Sequence, residues 1–298
     1  MATADASDMS TPTVRDRPVR IAVQIKPQHA TAHELREALV TVEELGVDAV
    51  FTWDHFFPLS GDPDGAHFEA WTLLASWAER TDRVELGVLV SSTGYRNPNL
   101  LADMARTVDH ISDRGRGGRL ILGIGAGWAE RDYDEYGYPF GTTGDRLRKL
   151  DADLTTIRDR WDRLTPPPTR RIPVLIGGGG EKVTLKIAAR HADIWHGFGD
   201  AETIARKHLV LDDWCRQVGR DPADIERSAG VNPKPGRYPE DLDDYPAHAD
   251  RLYEVGTRLF TVGLEAPRWD LGPVRDLVAW RDSRNAAAGP GQSRPALS

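Results

Sequence analysis

The amino-acid sequence predicts a (β/α)8 barrel, because eight short apolar segments alternate along the chain with eight longer amphipathic ones. The length of 298 residues suits a single barrel, and no linker-like segment divides the chain. The three consecutive prolines at 166–168 only separate the fourth predicted helix from the fifth predicted strand. A doubly wound open sheet is the alternative, but it rarely contains eight such regular units in this length.

The predicted strands are short, β-branched and almost continuously apolar, as expected of parallel strands that are buried on both faces. They cover residues 20–25, 48–53, 84–90, 119–124, 172–176, 192–197, 226–231 and 258–262. In the first predicted helix, Leu35, Leu39 and Val42 recur at helical spacing, and Gly46 provides a stop. The predicted helices cover residues 31–45, 68–80, 98–113, 143–163, 181–190, 201–218, 241–255 and 273–284.

Composition and charge limit the classes of function. A hydrophobic content of 40% is typical of a globular protein with a buried core. The formal net charge of −8 argues against nucleic acid or an anionic membrane as the main partner. The chain contains no run of about 18 apolar residues, so no membrane span is predicted. The first 18 residues lack the apolar centre of a signal peptide, so we predict a cytoplasmic protein.

The chain is predicted to fold as one barrel domain over residues 19–285. Polar or low-complexity composition predicts disordered tails at 1–18 and 286–298. The single cysteine, Cys215, excludes an internal disulfide and a multi-cysteine metal site, and its helical context predicts a packing role.

In a barrel of this kind, functional groups lie at the carboxyl ends of the strands. The second strand ends in Trp53, Asp54 and His55, which places an indole, a carboxylate and an imidazole at this mouth. A histidine titrates near neutrality and can pass a proton or hydrogen-bond a reduced coenzyme. The structural alternative is that Asp54 caps a turn and that His55 is an ordinary hydrogen-bonded side chain.

Two glycine-rich segments follow other strands. After the fourth strand, Gly125, Ala126 and Gly127 allow a ligand to approach the backbone closely, and Trp128 either covers a planar ring or packs. After the fifth strand, a run of four glycines precedes a helix predicted to start near Glu181. Free N–H groups and the helix dipole favour a phosphate there, with Lys182 and Thr184 as further candidates. The run consists of Gly177, Gly178, Gly179 and Gly180.

The sixth strand places His196 at the same mouth, where it either binds substrate or is structural. No histidines show the paired spacing of a metalloprotease site with a third ligand, so no metal site is predicted. No serine lies in a nucleophile elbow, so a Ser-His-Asp hydrolase is unsupported.

Several motifs, in order and spacing, resemble the bacterial luciferase-like superfamily, in particular its branch of deazaflavin-dependent oxidoreductases from actinobacteria. The most specific stretch is 110–140, which includes His110-Ile111-Ser112, the Gly-Ile-Gly-Ala-Gly-Trp run and Tyr136-Gly137-Tyr138-Pro139-Phe140. Further motifs carry the resemblance to about residue 230. They are Gly144-Asp145-Arg146-Leu147, Pro173-Val174-Leu175-Ile176-Gly177-Gly178, Ala188-Ala189-Arg190-His191-Ala192-Asp193 and Gly219-Arg220-Asp221-Pro222.

The resemblance implies a coenzyme ring at the mouth of the barrel, with its phosphate held by the loop that begins at Gly177. It also implies that Asp54 and His55 lie beside the ring, and that Leu89-Val90 forms a non-prolyl cis peptide bulging against it. The implied coenzyme is a deazaflavin, coenzyme F-420 (F420 below), and the alternative is flavin mononucleotide (FMN). Sugar-phosphate dehydrogenases of this group have a glutamate where this chain has Trp128, so the resemblance does not imply sugar-phosphate oxidation.

Three functions remain open at this point. The first is hydride transfer between the deazaflavin and a small organic substrate. His55 would then accept or donate the proton, and Asp54 would orient the His55 ring or contact the coenzyme. The second is an FMN-dependent monooxygenase. Such an enzyme consumes oxygen, whereas a deazaflavin does not readily activate it. The third is a non-catalytic coenzyme-binding protein on the same fold. By analogy with the family a homodimer is possible, and the 68–80 helix (Trp71, Leu74, Trp77) is either its interface or core.

Overall fold

The computed structural model describes residues 17–231 and 244–287, which form a closed parallel barrel surrounded by helices. The strands are β1 (Arg20–Ile25), β2 (Ala49–Thr52), β3 (Glu85–Val88), β4 (Ser91–Ser92), β5 (Leu120–Gly125), β6 (Val174–Gly177), β7 (Ile194–Gly197), β8 (Glu226–Gly230) and β9 (Leu259–Leu264). The short β4 continues the third strand of the barrel after the interruption at Leu89 and Val90. Both β3 and β4 pair with β5, and this pairing closes the barrel. The predicted fold class is confirmed.

Helices follow the strands on the outside. They are α1 (Ala32–Glu44), α2 (Ala70–Arg80), α3 (Pro98–Ile111), α4 (Glu130–Tyr136), α5 (Thr143–Trp161), α6 (Thr184–His191), α7 (Ala201–Gln217), α8 (Tyr245–Glu254) and α9 (Gly272–Ala287). The predicted helix at 181–190 begins only at Thr184, and residues 241–243 of the predicted 241–255 helix lie outside the described residues. The sequence did not predict α4, a polar helix of seven residues.

The helices begin where the sequence supplies caps. Thr31 and Glu34 form a reciprocal capping box at the start of α1, and Thr142 and Asp145 do the same for α5. Asn97 caps α3, which has Pro98 at its first position. These local signals explain why the predicted starts of these three helices lie within one residue of the observed ones.

The apolar core has two layers. A large layer fills the space between the strands and the helices. A smaller one fills the inside of the barrel with Ala22, Ala49, Phe51, Leu89, Ile121, Leu175, Ile194 and Leu259. The Trp71, Leu74 and Trp77 side chains of α2 are buried in the outer layer, so they are core residues rather than an exposed dimer face. Cys215 is also buried, as its predicted packing role requires.

The ends of the predicted domain, residues 19 and 285, lie within two residues of the first and last described residues, 17 and 287. The predicted tails 1–18 and 286–298 lie outside the described residues except at 17–18 and 286–287, and the last two of these complete α9. Within the described ranges, no helix is both long enough and apolar enough to cross a membrane.

Candidate active site

His55 lies at the carboxyl end of β2 and is held by a carboxylate from a distant part of the chain. Its Nδ1–H donates a hydrogen bond of 2.7 Å to Oδ2 of Asp132, and the amide of Phe56 donates to the other carboxylate oxygen at 3.1 Å. With the proton on Nδ1, Nε2 of the neutral ring is an acceptor. Nε2 forms no hydrogen bond with the described residues, so it is available to a ligand.

Asp132 is a buried residue of α4 that collects three hydrogen bonds. The third comes from the hydroxyl of Tyr95, at 2.8 Å. Burial by itself would raise the pKa of Asp132, but the hydrogen bonds from His55 and Tyr95 more than offset it and lower the pKa. Burial and the bond to Asp132 raise the pKa of Tyr95, so its phenol stays a donor. The carboxylate is therefore ionised at neutral pH and fixes the orientation of the His55 ring.

The carboxylate of Asp54 pairs with Arg96 and not with the ring of His55, whereas its predicted contact with the coenzyme stays a prediction. Its carboxylate accepts two hydrogen bonds from the guanidinium of Arg96, at 2.5 and 3.0 Å, and Arg96 also contacts Glu69 at 2.6 Å. Burial raises the pKa of Asp54, and Arg96 acts in the opposite direction. Asp132, and not Asp54, orients the His55 ring, whereas Asp54 anchors the loop after β2 to the loop before α3.

Two indole rings flank His55. Trp53 meets it edge-on at 6.1 Å between ring centroids, and Trp128 does so at 5.3 Å. Trp53 is buried and its Nε1–H donates to Nε2 of His67 at 3.0 Å. Burial lowers the pKa of His67 to about 4, so this ring stays neutral and its Nε2 accepts the hydrogen bond. Trp128 is 67% exposed, so its ring is a surface that a ligand can cover.

The Leu89–Val90 peptide bond is cis, as the resemblance implied. The Val90 side chain projects over one glycine of β5 and one glycine of β6. A Cβ on Gly125 would lie 2.8 Å from Val90 Cγ2, and one on Gly177 would lie 2.9 Å from Cγ1. Gln24 secures this bulge from β1 by donating to the carbonyl of Leu89 at 2.7 Å. Both glycines therefore make room for Val90, which is a reason for their presence that the sequence alone did not reveal.

Other glycines serve the loop after β5. Gly127 has a φ of +80°, and a Cβ there would overlap the Tyr133 hydroxyl and the Ser92 side chain. Those two hydroxyls hydrogen-bond to each other at 2.6 Å. Gly127 thus turns the chain away from the strand and allows Ala126 and Trp128 to reach the mouth.

The run Gly177–Gly180 leads through a turn to α6. Gly178 has a φ of +134°, and its N–H donates to the carbonyl of His196. The N–H groups of Gly179 and Gly180 donate to no described residue. Lys207 of α7 places its ammonium against Gly179, where a Cβ would overlap Nζ. Burial lowers the pKa of Lys207, and among the described residues its ammonium has no hydrogen-bond or ion-pair partner.

His196 is buried inside the barrel at the end of β7. Its Nδ1 is 2.8 Å from the Ser228 hydroxyl, and its Nε2 is buried without a partner in the described part of the chain. Burial lowers the pKa of His196 to about 3, so the ring is neutral. His196 is therefore a polar group that lies beside Gly177 across the β6–β7 pairing and has one unsatisfied ring nitrogen.

Four residues of this site were missed by the sequence analysis: Asp132, Tyr95, Arg96 and Lys207. Asp132 lies inside the stretch 110–140 but was not singled out within it. The signal that would have found Asp132 is the need for a partner on a histidine that handles protons.

The fold and the mouth of the barrel define a class of proteins, namely parallel barrels in which a cis peptide after the third strand lies against a glycine-rich loop. A family model described as luciferase-like monooxygenase matches residues 17–254. The chain belongs to this family, and the predicted resemblance is confirmed.

Curated relatives carry the name F420-dependent glucose-6-phosphate dehydrogenase. The one from Intrasporangium calvum is 34% identical over 219 residues, which are 65% of this chain and 63% of the relative. The one from Amycolatopsis mediterranei is 28% identical over 194 residues, 59% of this chain and 56% of the relative. The matches to the first four such relatives span 56 to 71% of their lengths.

Solved structures share the fold at low sequence identity. An F420-dependent secondary alcohol dehydrogenase in complex with an F420-acetone adduct has a TM-score of 0.76 and 16% identity, covering 89% of this chain and 99% of that one. A long-chain alkane monooxygenase has a TM-score of 0.71 and 13% identity, covering 94% and 93%. At these identities the likeness concerns the fold alone.

Proposed function

We propose that this chain is an oxidoreductase that transfers hydride between the deazaflavin coenzyme F420 and a small organic substrate at the mouth of the barrel. The observation that carries the proposal is the His55–Asp132 pair, which presents an unengaged imidazole nitrogen at the mouth. The names of the curated relatives support the choice of F420. Their partial coverage leaves the activity of the whole protein a proposal.

The residues at the mouth fit a coenzyme that carries a phosphate. The free N–H groups of Gly179 and Gly180, the N-terminus of α6 and the unpaired Lys207 ammonium together favour an anion. Val90 would pack against the ring, and the unsatisfied Nε2 of His196 would supply a hydrogen bond to the bound ligands. When bound, a deazaflavin supplies the ring carbon that accepts or returns the hydride.

The protein side chains would handle the proton and the orientation. In substrate oxidation, Nε2 of His55 would accept the hydroxyl proton, and Asp132 would stabilise the resulting imidazolium. Because Nδ1–H is fixed by Asp132, the lone pair of Nε2 keeps one direction, which lowers the cost of positioning. Trp53 and Trp128 would exclude water from the ring of His55.

The test is a titration of the apoprotein with F420 and with FMN, followed by the fluorescence of the coenzyme ring. We expect F420 to bind and FMN to bind much more weakly. Turnover by the F420-loaded protein that disappears in His55→Ala, with the F420 affinity retained, would separate an enzyme from a non-catalytic coenzyme-binding protein. Binding of neither coenzyme would refute the proposal.

The second candidate is an FMN-dependent monooxygenase, which the description of the matching family favours. It would be supported by tight binding of FMN only, together with oxygen consumption when reduced FMN is supplied. Oxygen consumption is the discriminating readout.

A further inference from the structure

The accessible side of His55 is framed by aromatic carbon. Trp53 and Trp128 both meet the imidazole at interplanar angles above 60°, and no polar side chain of the described residues contacts Nε2. An indole that is 67% exposed in this position costs free energy in water unless a ligand covers it. A group that reaches Nε2 therefore lies beside two indole rings.

The basic side chains around this surface are already engaged. Lys26, which lies 5.8 Å from the Trp53 ring centroid, pairs with Glu265 at 2.7 Å. Arg96 is paired with Asp54 and Glu69. Two more basic groups of the same region stack on aromatic rings and bind carboxylate or carbonyl oxygens, namely Arg131 (Phe57, Asp64) and Arg146 (Phe140, Gly127). Among the described residues, none of these cations is left to bind a substrate phosphate or carboxylate beside His55.

The wider mouth has the same character. Large hydrophobic side chains are more than a third exposed at six described positions, and five of the six lie in segments that follow the carboxyl ends of strands. These five are Leu59, Trp128, Tyr136, Val183 and Phe198. The sixth, Leu100, lies in the first turn of α3, which follows the carboxyl end of β4 at the same end of the barrel. Apolar exposure concentrated at one end of a barrel indicates a ligand surface.

We propose that the substrate is an uncharged alcohol, or the ketone or aldehyde formed from it, that carries an aromatic or broad apolar group packed on Trp128. This inference rests on the proposed function. In the oxidation, the carbinol C–H bond breaks and its electron pair passes as hydride to the oxidised deazaflavin. The O–H proton passes to Nε2 of His55, and the C=O bond forms. Trp128 is then the residue that selects the substrate.

A matched pair of substrates tests the charge requirement. 1-Phenylethanol and 1-(4-carboxyphenyl)ethanol have the same reacting carbon and differ by one carboxylate remote from it. We expect the F420-loaded protein to oxidise the neutral alcohol with at least about tenfold higher kcat/KM, because the indole rings offer the carboxylate no cationic partner. Equal or preferred use of the carboxylated alcohol, or of glucose 6-phosphate, would overturn the inference.

Binding measured without turnover tests the role of Trp128. In calorimetric titrations of the F420-loaded protein with acetophenone, we expect Trp128→Leu to weaken binding about tenfold, because it loses an aromatic contact. Glu44→Ala, at the exposed last residue of α1 and the opposite end of the barrel, should leave the affinity within about twofold, because it changes no group near His55. If Trp128→Leu binds acetophenone as well as the original protein does, the inference is wrong even though F420 binds. Failure of F420 to bind would instead refute the proposed function, and the inference with it.

Discussion

At the scale of single residues, the site depends on a hydrogen bond that fixes one tautomer. The Asp132 carboxylate accepts from Nδ1 of His55, so the proton-accepting nitrogen is the one that faces the mouth. A histidine without this partner would divide its population between two tautomers and several rotamers. Asp132 is therefore a positioning residue, which acts on the substrate only through His55.

Replacing Asp132 by Asn tests this role. The amide can donate to Nδ1, which would favour the tautomer with the proton on Nε2 and remove the acceptor. We expect kcat to fall about 10²–10³-fold, the range that general acid–base catalysis contributes, with little change in coenzyme affinity. The pH profile of kcat should also lose the limb that reports His55. Tyr95→Phe, which removes one donor to Asp132 but keeps the carboxylate, should have a much smaller effect.

At the scale of elements, the third strand of the barrel (β3 and β4) depends on the space that glycines of β5 and β6 leave for Val90. Val90 lies between β3 and β4, and its methyl groups fill the space that a Cβ on Gly125 or Gly177 would occupy. The glycines of β5 and β6 are thus required by a residue of another strand.

Gly177→Ala should disrupt this packing. Its Cβ would lie 2.9 Å from Val90 Cγ1, and overpacking of this kind costs about 1–3 kcal/mol of unfolding free energy. Gly144→Ala in α5, where a Cβ meets atoms only at 3.4 Å or more, should instead stabilise the protein by about 0.5–1 kcal/mol. Urea unfolding measures both. The double variant Gly177→Ala with Val90→Ala should recover part of the lost unfolding free energy. Equal stability of Gly177→Ala and Gly144→Ala would contradict this explanation of Gly177.

Lys207 connects α7 to the glycine loop after β6. Its partly buried ammonium forms no hydrogen bond or ion pair with the described residues, and Glu181 only partly offsets its burial, so a bound phosphate would supply the missing partner. We expect Lys207→Met to raise the Kd for the coenzyme about tenfold, as the loss of one charge-assisted contact would, and to reduce the salt dependence of binding. Arg216→Met, at the exposed far end of the same helix, should leave both quantities unchanged. An unaltered Kd in Lys207→Met would remove Lys207 from the phosphate site.

At the scale of the whole molecule, the sequence predicted the elements that have a strong hydrophobic period and missed those that do not. Every predicted strand is present, and most of them contain a short apolar run of the kind found in buried parallel strands, although β8 (ERSAG) is an exception. Helix α4 was missed because its sequence, ERDYDEY, has no apolar period, and only Asp132 and Tyr133 are buried. The partner of His55 was missed for a related reason. It lies 77 residues away, and only the closed barrel brings the two together.

The barrel also buries several histidines in the neutral state, which makes its stability depend on pH. Burial lowers the pKa values of His196 and His208 to about 3 and that of His67 to about 4. In the unfolded chain these groups titrate at about 6.5. Between these limits the unfolded state binds more protons, so stability is lost as the pH falls below about 6.5.

We therefore expect the free energy of unfolding of the coenzyme-free protein to decrease from pH 7 to pH 4.5. Each histidine contributes a slope of up to about 1.4 kcal/mol per pH unit. Urea unfolding at a series of pH values measures this slope. His208→Leu removes a ring that is buried between Trp195 and the carbonyl of Val255, so the slope should become shallower even though the variant is less stable at pH 7. A stability that stays constant between pH 7 and pH 5, or an identical slope in His208→Leu, would show that the buried histidines are protonated with little cost in the folded barrel.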